Sequence, residues 1–213
     1  MTDFATDVTA ARYPWRDLMQ RWSELWLGPD RNETDRRFPD IAHQQQWLGR
    51  GGAGEAEIAA LEERLGTTLP PSYRQFLSVS DGWNHVDDHN GPLLATAGVG
   101  WLRDLDPETV EIWGKCEPTD RRIPDEQYFN YGEDQDCIHV RPEYFRTALQ
   151  VTEWGDASYL LLNPAVVDDH GEWEAWSFAT WYPGAFRYRS FWELMKNTIE
   201  TDYPDADWSP FAL

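Results

Sequence analysis

The sequence predicts an α+β fold, on three observations. Apolar residues recur at helical spacing through the N-terminal part of the chain. Strand-like runs then cluster between residues 148 and 178, and a last helix signal follows them. Within that cluster Tyr159-Leu160-Leu161-Leu162 is continuously apolar, which suits a central strand buried on both faces. Helices and strands segregated along a chain point to α+β, whereas regular alternation would point to a doubly wound sheet.

The first helix is expected over residues 13–27. Trp15, Leu18, Met19, Trp22, Leu25 and Trp26 form one broad apolar stripe, with Pro14 near its start and Gly28-Pro29 as its stop. Three tryptophans on one stripe must be covered, either by the rest of the domain or by a partner. Residues 28–54 read as a connector. Gly28-Pro29-Asp30-Arg31-Asn32 and Phe38-Pro39-Asp40 are turn chemistry, residues 41–48 suit a short helix, and Gly49 to Gly54 form a flexible joint. The expected organisation is a helical arm and linker over 1–52, a main domain over 53–201 and a short tail over 202–213.

Ile58, Leu61 and Leu65 mark a second helix that Gly66 ends. The next has both ends signalled. Pro70 and Pro71 suit a first turn, where a missing N–H costs nothing, and Tyr73, Phe76 and Leu77 share a face. Asp81-Gly82 offers a left-handed stop. Leu93 to Ala95 and Val99 to Leu102 are strand candidates. Asp106-Pro107-Glu108 reads as an N-cap, a first-turn proline and an acid suited to the dipole, so a helix is expected from about Pro107 to Lys115. The polar stretch 117–136 suggests a long loop. Strands are expected over Ala148 to Trp154, Tyr159 to Leu162 and Trp173 to Phe178. Tyr188 onward begins the final helix, with Ser190 as N-cap and Glu193 completing a capping box.

Three motifs together resemble the SUKH superfamily, the Smi/Knr-type domain. The first is Ile58-x-x-Leu61-x-x-x-Leu65-Gly66 followed by Leu69-Pro70, Tyr73-Arg74, Phe76-Leu77 and Asp81-Gly82-Trp83. The second is Trp154-Gly155-Asp156 leading into Tyr159-Leu160-Leu161-Leu162, similar to the family's Gly-Asp turn before its central strand. The third is Ser190-Phe191-Trp192-Glu193-Leu194, similar to its closing element. The likeness covers about residues 55–200. It implies a twisted, mostly antiparallel sheet with helices packed to one side, extended here by an N-terminal helical region. It also implies a role: many bacterial members are immunity proteins that neutralise a cognate toxin, and fungal members act as adaptors.

Net charge is −20, unevenly placed: residues 1–80 carry 12 acids against 9 bases, residues 81–213 carry 26 against 9. Such a field repels nucleic acid and anionic membranes and attracts basic proteins. At 41% hydrophobic and 26% charged, the chain is ordinary folded material. Its 13 tryptophans are either core or contact anchors. Cys116 and Cys137 lack CxxC spacing, Met1 to Asp7 lacks the regions of a signal peptide, and no apolar run approaches a bilayer span. The expected location is the cytoplasm.

Candidate chemistry is sparse. His85-Val86-Asp87-Asp88-His89 would offer metal ligands only on a helix, and its neighbours mark it as a loop. Glu133, Asp134 and Asp136 lack the twelve-residue calcium pattern. Cys137 and His139 would share a face on a strand, but no third group orients them. Nucleotide and serine-hydrolase signatures are absent from the sequence. The expectation is therefore a non-enzymatic protein without metal or cofactor; the resemblance implies a toxin as its partner, and the net charge suits a basic one. The acids expected to face it are Asp87, Asp88, Glu133, Asp134 and Asp136, with Trp83 and Trp101 as aromatic anchors. A general interaction scaffold is the alternative, and a carbohydrate binder or small hydrolase a third.

Overall fold

In the computed structural model, residues 13–28, 38–114 and 123–211 are described. The turn at Pro29 to Asn32, Cys116 and the start of the polar stretch 117–136 lie outside them.

Helix α1 (Trp15–Trp26) buries Trp15, Leu18, Met19, Trp22 and Trp26, five positions on the stripe the sequence marks. A short α2 (Asp40–Gln45) follows, then α3 (Glu55–Leu65), which Gly66 ends at φ +71° as a left-handed cap. Helix α4 (Pro71–Val79) begins on its proline as expected. Its stop differs. Ser80 terminates it in an extended conformation, and Gly82 takes φ +95° in the turn beyond. The Ser80 hydroxyl accepts from Arg50 N at 2.8 Å and donates to Gly82 O at 2.5 Å, so a side chain supplies the stop.

The sheet is a five-stranded antiparallel meander in the order β1 (Gly100–Trp101), β2 (Leu149–Gln150), β3 (Ser158–Val167), β4 (Trp173–Ala179) and β5 (Ala185–Tyr188). Between β1 and β2 come α5 (Leu102–Leu105), α6 (Pro107–Gly114) and α7 (Asp125–Tyr128). Asp106 caps α6 as the sequence indicates, accepting from Thr109 N at 3.0 Å. The chain closes with α8 (Phe191–Asp202), whose Glu193 N donates to Ser190 Oγ at 3.1 Å. The Glu193 carboxylate reaches back one residue further than a capping box requires, to Arg189 N at 2.6 Å.

Several strand boundaries need correction. Of Leu93 to Ala95 only isolated bridges at Leu93 form, and the 148–154 run contracts to Leu149–Gln150 plus a bridge at Thr152. Strand β5 was not expected; it ends on Tyr188, the first residue assigned to the final-helix element, while the helix itself follows the Ser190 cap. Only five residues lie between Gly184 and the Ser190 cap, and the strand forms there because β4 supplies a ladder from Phe178↔Ala185 to Ala175↔Tyr188. The β3–β4 register shifts between Asn163 and Val167, where Pro164 has no N–H to give.

The central strand is buried on both faces. Leu160 and Leu162 join a core with α1, α3, α4 and α8; Tyr159 and Leu161 join a second with Leu102, Phe145, Trp176 and Phe178. Thus the four longest helices cover one face, and Leu102, Val110, Trp113, Val140, Tyr144 and Phe145 close the other. Eight of the 13 tryptophans are buried, so most of that excess is core material. Helix α1 belongs to the same core as the rest. Trp15 packs on Phe76, Phe191 and Trp192 with ring centroids 5.4, 5.5 and 4.8 Å away. Buried Glu172 binds the layers together, accepting from Tyr13 Oη at 2.8 Å, Ser72 N at 2.9 Å and Ser72 Oγ at 2.6 Å. Its carboxylate therefore lies on the N-terminus of α4, where the helix dipole favours negative charge.

Candidate functional site

Two loops far apart in sequence converge on one groove of about 610 Å³. Asp87, Asp88 and His89 line it from the first loop, and Gly132, Glu133 and Gln135 from the second. Its floor is Ser177 of β4 with Phe186 and Tyr188 of β5; Tyr182 and the α8 residues Asn197, Thr198, Thr201 and Asp202 complete it. Among the described lining residues there is no lysine or arginine.

The first loop is held by backbone and by buried side chains. Val86 is fully buried, and His85 turns inward with its ring 3.9 Å from that of Trp26. Asp87 shapes the turn itself, accepting from His89 N at 2.8 Å, Asn90 N at 2.6 Å and Asn90 Nδ2 at 2.7 Å. The His89 carbonyl then accepts from Asp156 N at 2.6 Å and Ser158 Oγ at 2.8 Å. This approach explains Gly155, since a Cβ there would stand 2.1 Å from the His89 carbonyl oxygen.

The second loop is pinned to the edge of the sheet. Gln135 Oε1 accepts from Arg187 N at 2.8 Å and its Nε2 donates to Arg187 O at 3.2 Å, so one side chain completes the ladder of β5. Ala185 N donates to Cys137 O at 2.9 Å. Behind the loop lies a buried polar cluster. Glu174 accepts from Tyr128 Oη at 2.6 Å, Tyr131 Oη at 2.8 Å, Asn163 Nδ2 at 2.9 Å and Trp176 Nε1 at 2.7 Å. The Tyr128 ring lies between the guanidiniums of Arg141 and Arg187, 4.3 and 4.5 Å from its centroid. Burial and then the Glu174 charge push the Tyr128 and Tyr131 hydroxyls well above the ordinary tyrosine range.

Of the residues expected to meet a partner, the structure brings Asp87, Asp88 and Glu133 to the groove. Asp134 and Asp136 are exposed on the same loop but outside its lining, and Asp136 accepts from Ile138 N at 3.1 Å. Trp83 is a correction. It is fully buried, with Trp22 and Trp47 ring centroids 5.7 and 5.3 Å away, so it offers a partner no surface. Trp101 is half-buried on β1 under the Arg103 guanidinium, apart from the groove. Sequence reasoning missed Tyr182, Phe186, Tyr188 and Asp202. The available signal was the Phe186/Tyr188 alternation just before the Ser190 cap.

The loop His85–His89 is not helical, and its two histidines diverge: His85 faces the core while His89 is exposed, 3.9 Å from Asp156 Oδ2. Among the described residues no group of three or more His, Cys, Asp or Glu could hold a metal ion. Cys137 and His139 lie in a turn, with His139 N donating to Asp136 O at 3.1 Å. Among the described residues no helix is long and apolar enough to cross a membrane.

Tyr188 reports on the groove's charge. Its hydroxyl donates to Asn197 Oδ1 at 3.0 Å. Burial first, then Tyr182, Glu193 and Asp87, raise its pKa from 10.0 to about 12. Between these values the folded chain keeps a proton that the unfolded chain has lost, so stability present below pH 10 declines as pH rises through that window. Denaturant midpoints measured across it should fall less steeply in Tyr188→Phe than in the parent. Equal slopes would place this tyrosine in an ordinary environment.

The model of the SMI1/KNR4 family (SUKH-1) matches residues 52–212. The chain belongs to that family. No curated protein matches it.

Proposed function

We propose that the protein is a cytoplasmic immunity protein that binds a cognate, basic bacterial toxin and blocks it without chemistry of its own. Membership of the SMI1/KNR4 family supports the role. The observation that carries it is the convergence of Asp87, Asp88 and Glu133, from loops over forty residues apart, on a groove with tyrosine and phenylalanine in its wall. Carboxylates speed the encounter with a basic surface, and aromatic side chains provide the short-range hold. A toxin blocked in this way is occluded sterically.

The decisive experiment is to find whether a neighbouring gene encodes a toxin domain and to co-express the two; a neighbourhood with no toxin gene counts against the reading. Restored growth and a stoichiometric complex support the reading; continued killing with no complex overturns it. Within that complex Asp88→Lys with Glu133→Lys should slow association about tenfold at low salt and flatten its salt dependence. Asp87 is left intact in this variant because its carboxylate builds the turn. Stopped-flow rates equal to the parent's would assign the interface to another face.

A further inference from the structure

The chain repeatedly satisfies aromatic faces with its own guanidiniums. Arg16 lies 5.2 Å from the Trp47 centroid, Arg103 5.1 Å from Trp101, and Arg189 4.8 Å from Tyr131. The rings of the groove differ. Tyr182 and Phe186 meet edge to face at 5.0 Å, and Tyr188 follows Phe186 on the same face of β5. All three are half-buried, and among the described residues no guanidinium stacks on any of them. A groove with an aromatic wall, a carboxylate at Glu133 and no lysine or arginine among the described lining residues is complementary to a cation with a flat face. Its volume of about 610 Å³ suits a short protruding segment, and a broad protein face would not enter it.

Resting on the reading of this groove as the partner face, we infer that it receives an arginine side chain of the basic partner, stacked on the Tyr182–Phe186–Tyr188 wall and hydrogen-bonded at its edge to the Glu133 carboxylate. Arginine is favoured over lysine by its shape. A planar guanidinium stacks on a ring and offers paired N–H groups to a carboxylate in the same pose, whereas an ammonium is a compact, strongly hydrated charge. An anionic ligand is disfavoured by the acids at both rims.

The test needs no toxin. Blocked pentapeptides of glycine with one central arginine, lysine or citrulline are titrated into the isotopically labelled full chain and followed by amide chemical shifts. The arginine peptide should shift residues 132–135 and 182–188 saturably and bind about threefold more tightly than the lysine peptide. Citrulline, which keeps the shape and loses the charge, should give no saturation. Tyr182→Leu should abolish the preference for arginine while leaving lysine binding unchanged, and Glu133→Gln should weaken both. Equal binding of arginine and lysine, shifts spread over the whole acidic surface, a preference that survives Tyr182→Leu, or no binding each overturn the inference. Because the readout is independent of toxin rescue, the outcomes separate. Rescue with no arginine binding removes this occupant and leaves the immunity role, whereas arginine binding with no rescue does the reverse.

Discussion

A chain cut back to residues 52–212, the part that matches the family, is expected to lose cooperative unfolding. The deletion removes α1 and with it Trp15, Leu18, Met19, Trp22 and Trp26, all buried in the principal core. Large apolar side chains contribute about 1.5–3 kcal/mol each on burial. Five of them together rival the whole stability of an ordinary domain, about 5–15 kcal/mol. The cut also uncovers Phe76, Phe191 and Trp192, which pack on Trp15, and removes the Tyr13 hydroxyl from Glu172. Near-ultraviolet circular dichroism should lose its tryptophan fine structure, and urea unfolding should become broad. A sharp transition near the parent's midpoint would mean that α1 is an appendage.

Glu174→Ala should destabilise the fold by about 3–5 kcal/mol, the range for removing one member of a buried charged network. Four donors converge on this carboxylate, from Tyr128, Tyr131, Asn163 and Trp176. Tyr128, Asn163 and Trp176 would lose their acceptor in the buried interior, where an unmade hydrogen bond costs most, and the half-buried Tyr131 would lose it at the edge. The fully buried Arg187 guanidinium would also keep its positive charge beside the Tyr128 ring with the nearby anion gone. Glu174→Gln should fall between, because an amide accepts through one oxygen but turns donors toward donors. Denaturant midpoints give the magnitude. Hydrogen exchange should quicken first at residues 130–135, which Tyr131 ties to this cluster. A loss below about 1 kcal/mol in the alanine variant would show that water or a neighbouring group replaces the carboxylate.

What was legible in the sequence was whatever rests on local spacing. The α1 stripe, the Gly66 cap, the Pro71 start of α4, the Asp106 and Ser190 caps and the doubly buried run at Leu160 depend on residues within a few places of one another. The rest depends on partners supplied from afar. Strand β5 exists because β4 lies beside it, and the Gly100–Trp101 strand stops after two residues because α5 begins at Leu102. The same distinction divides the site. Loop acids could be named from polarity and turn residues, so Asp87, Asp88 and Glu133 were within reach. That they share one groove follows from Gly155 admitting the His89 carbonyl and from Gln135 clasping Arg187, contacts of 66 and 52 residues in separation. Trp83 was misassigned for the same reason: an isolated tryptophan after a turn carries no mark of whether Trp22 and Trp47 will enclose it.

The clasp of Gln135 on β5 constrains how this loop can vary. The outermost strand of a sheet is an open template for stacking one molecule on another. Here a glutamine amide occupies those positions from the loop that also carries Glu133. Substitution can therefore exchange Glu133 and its exposed neighbours at small cost, while Gln135 and Gly132 hold the shape. Rewriting the whole loop would remove that amide, expose the strand and risk edge-to-edge stacking into filaments, so sequence change here is confined to a few side chains on a fixed clamp.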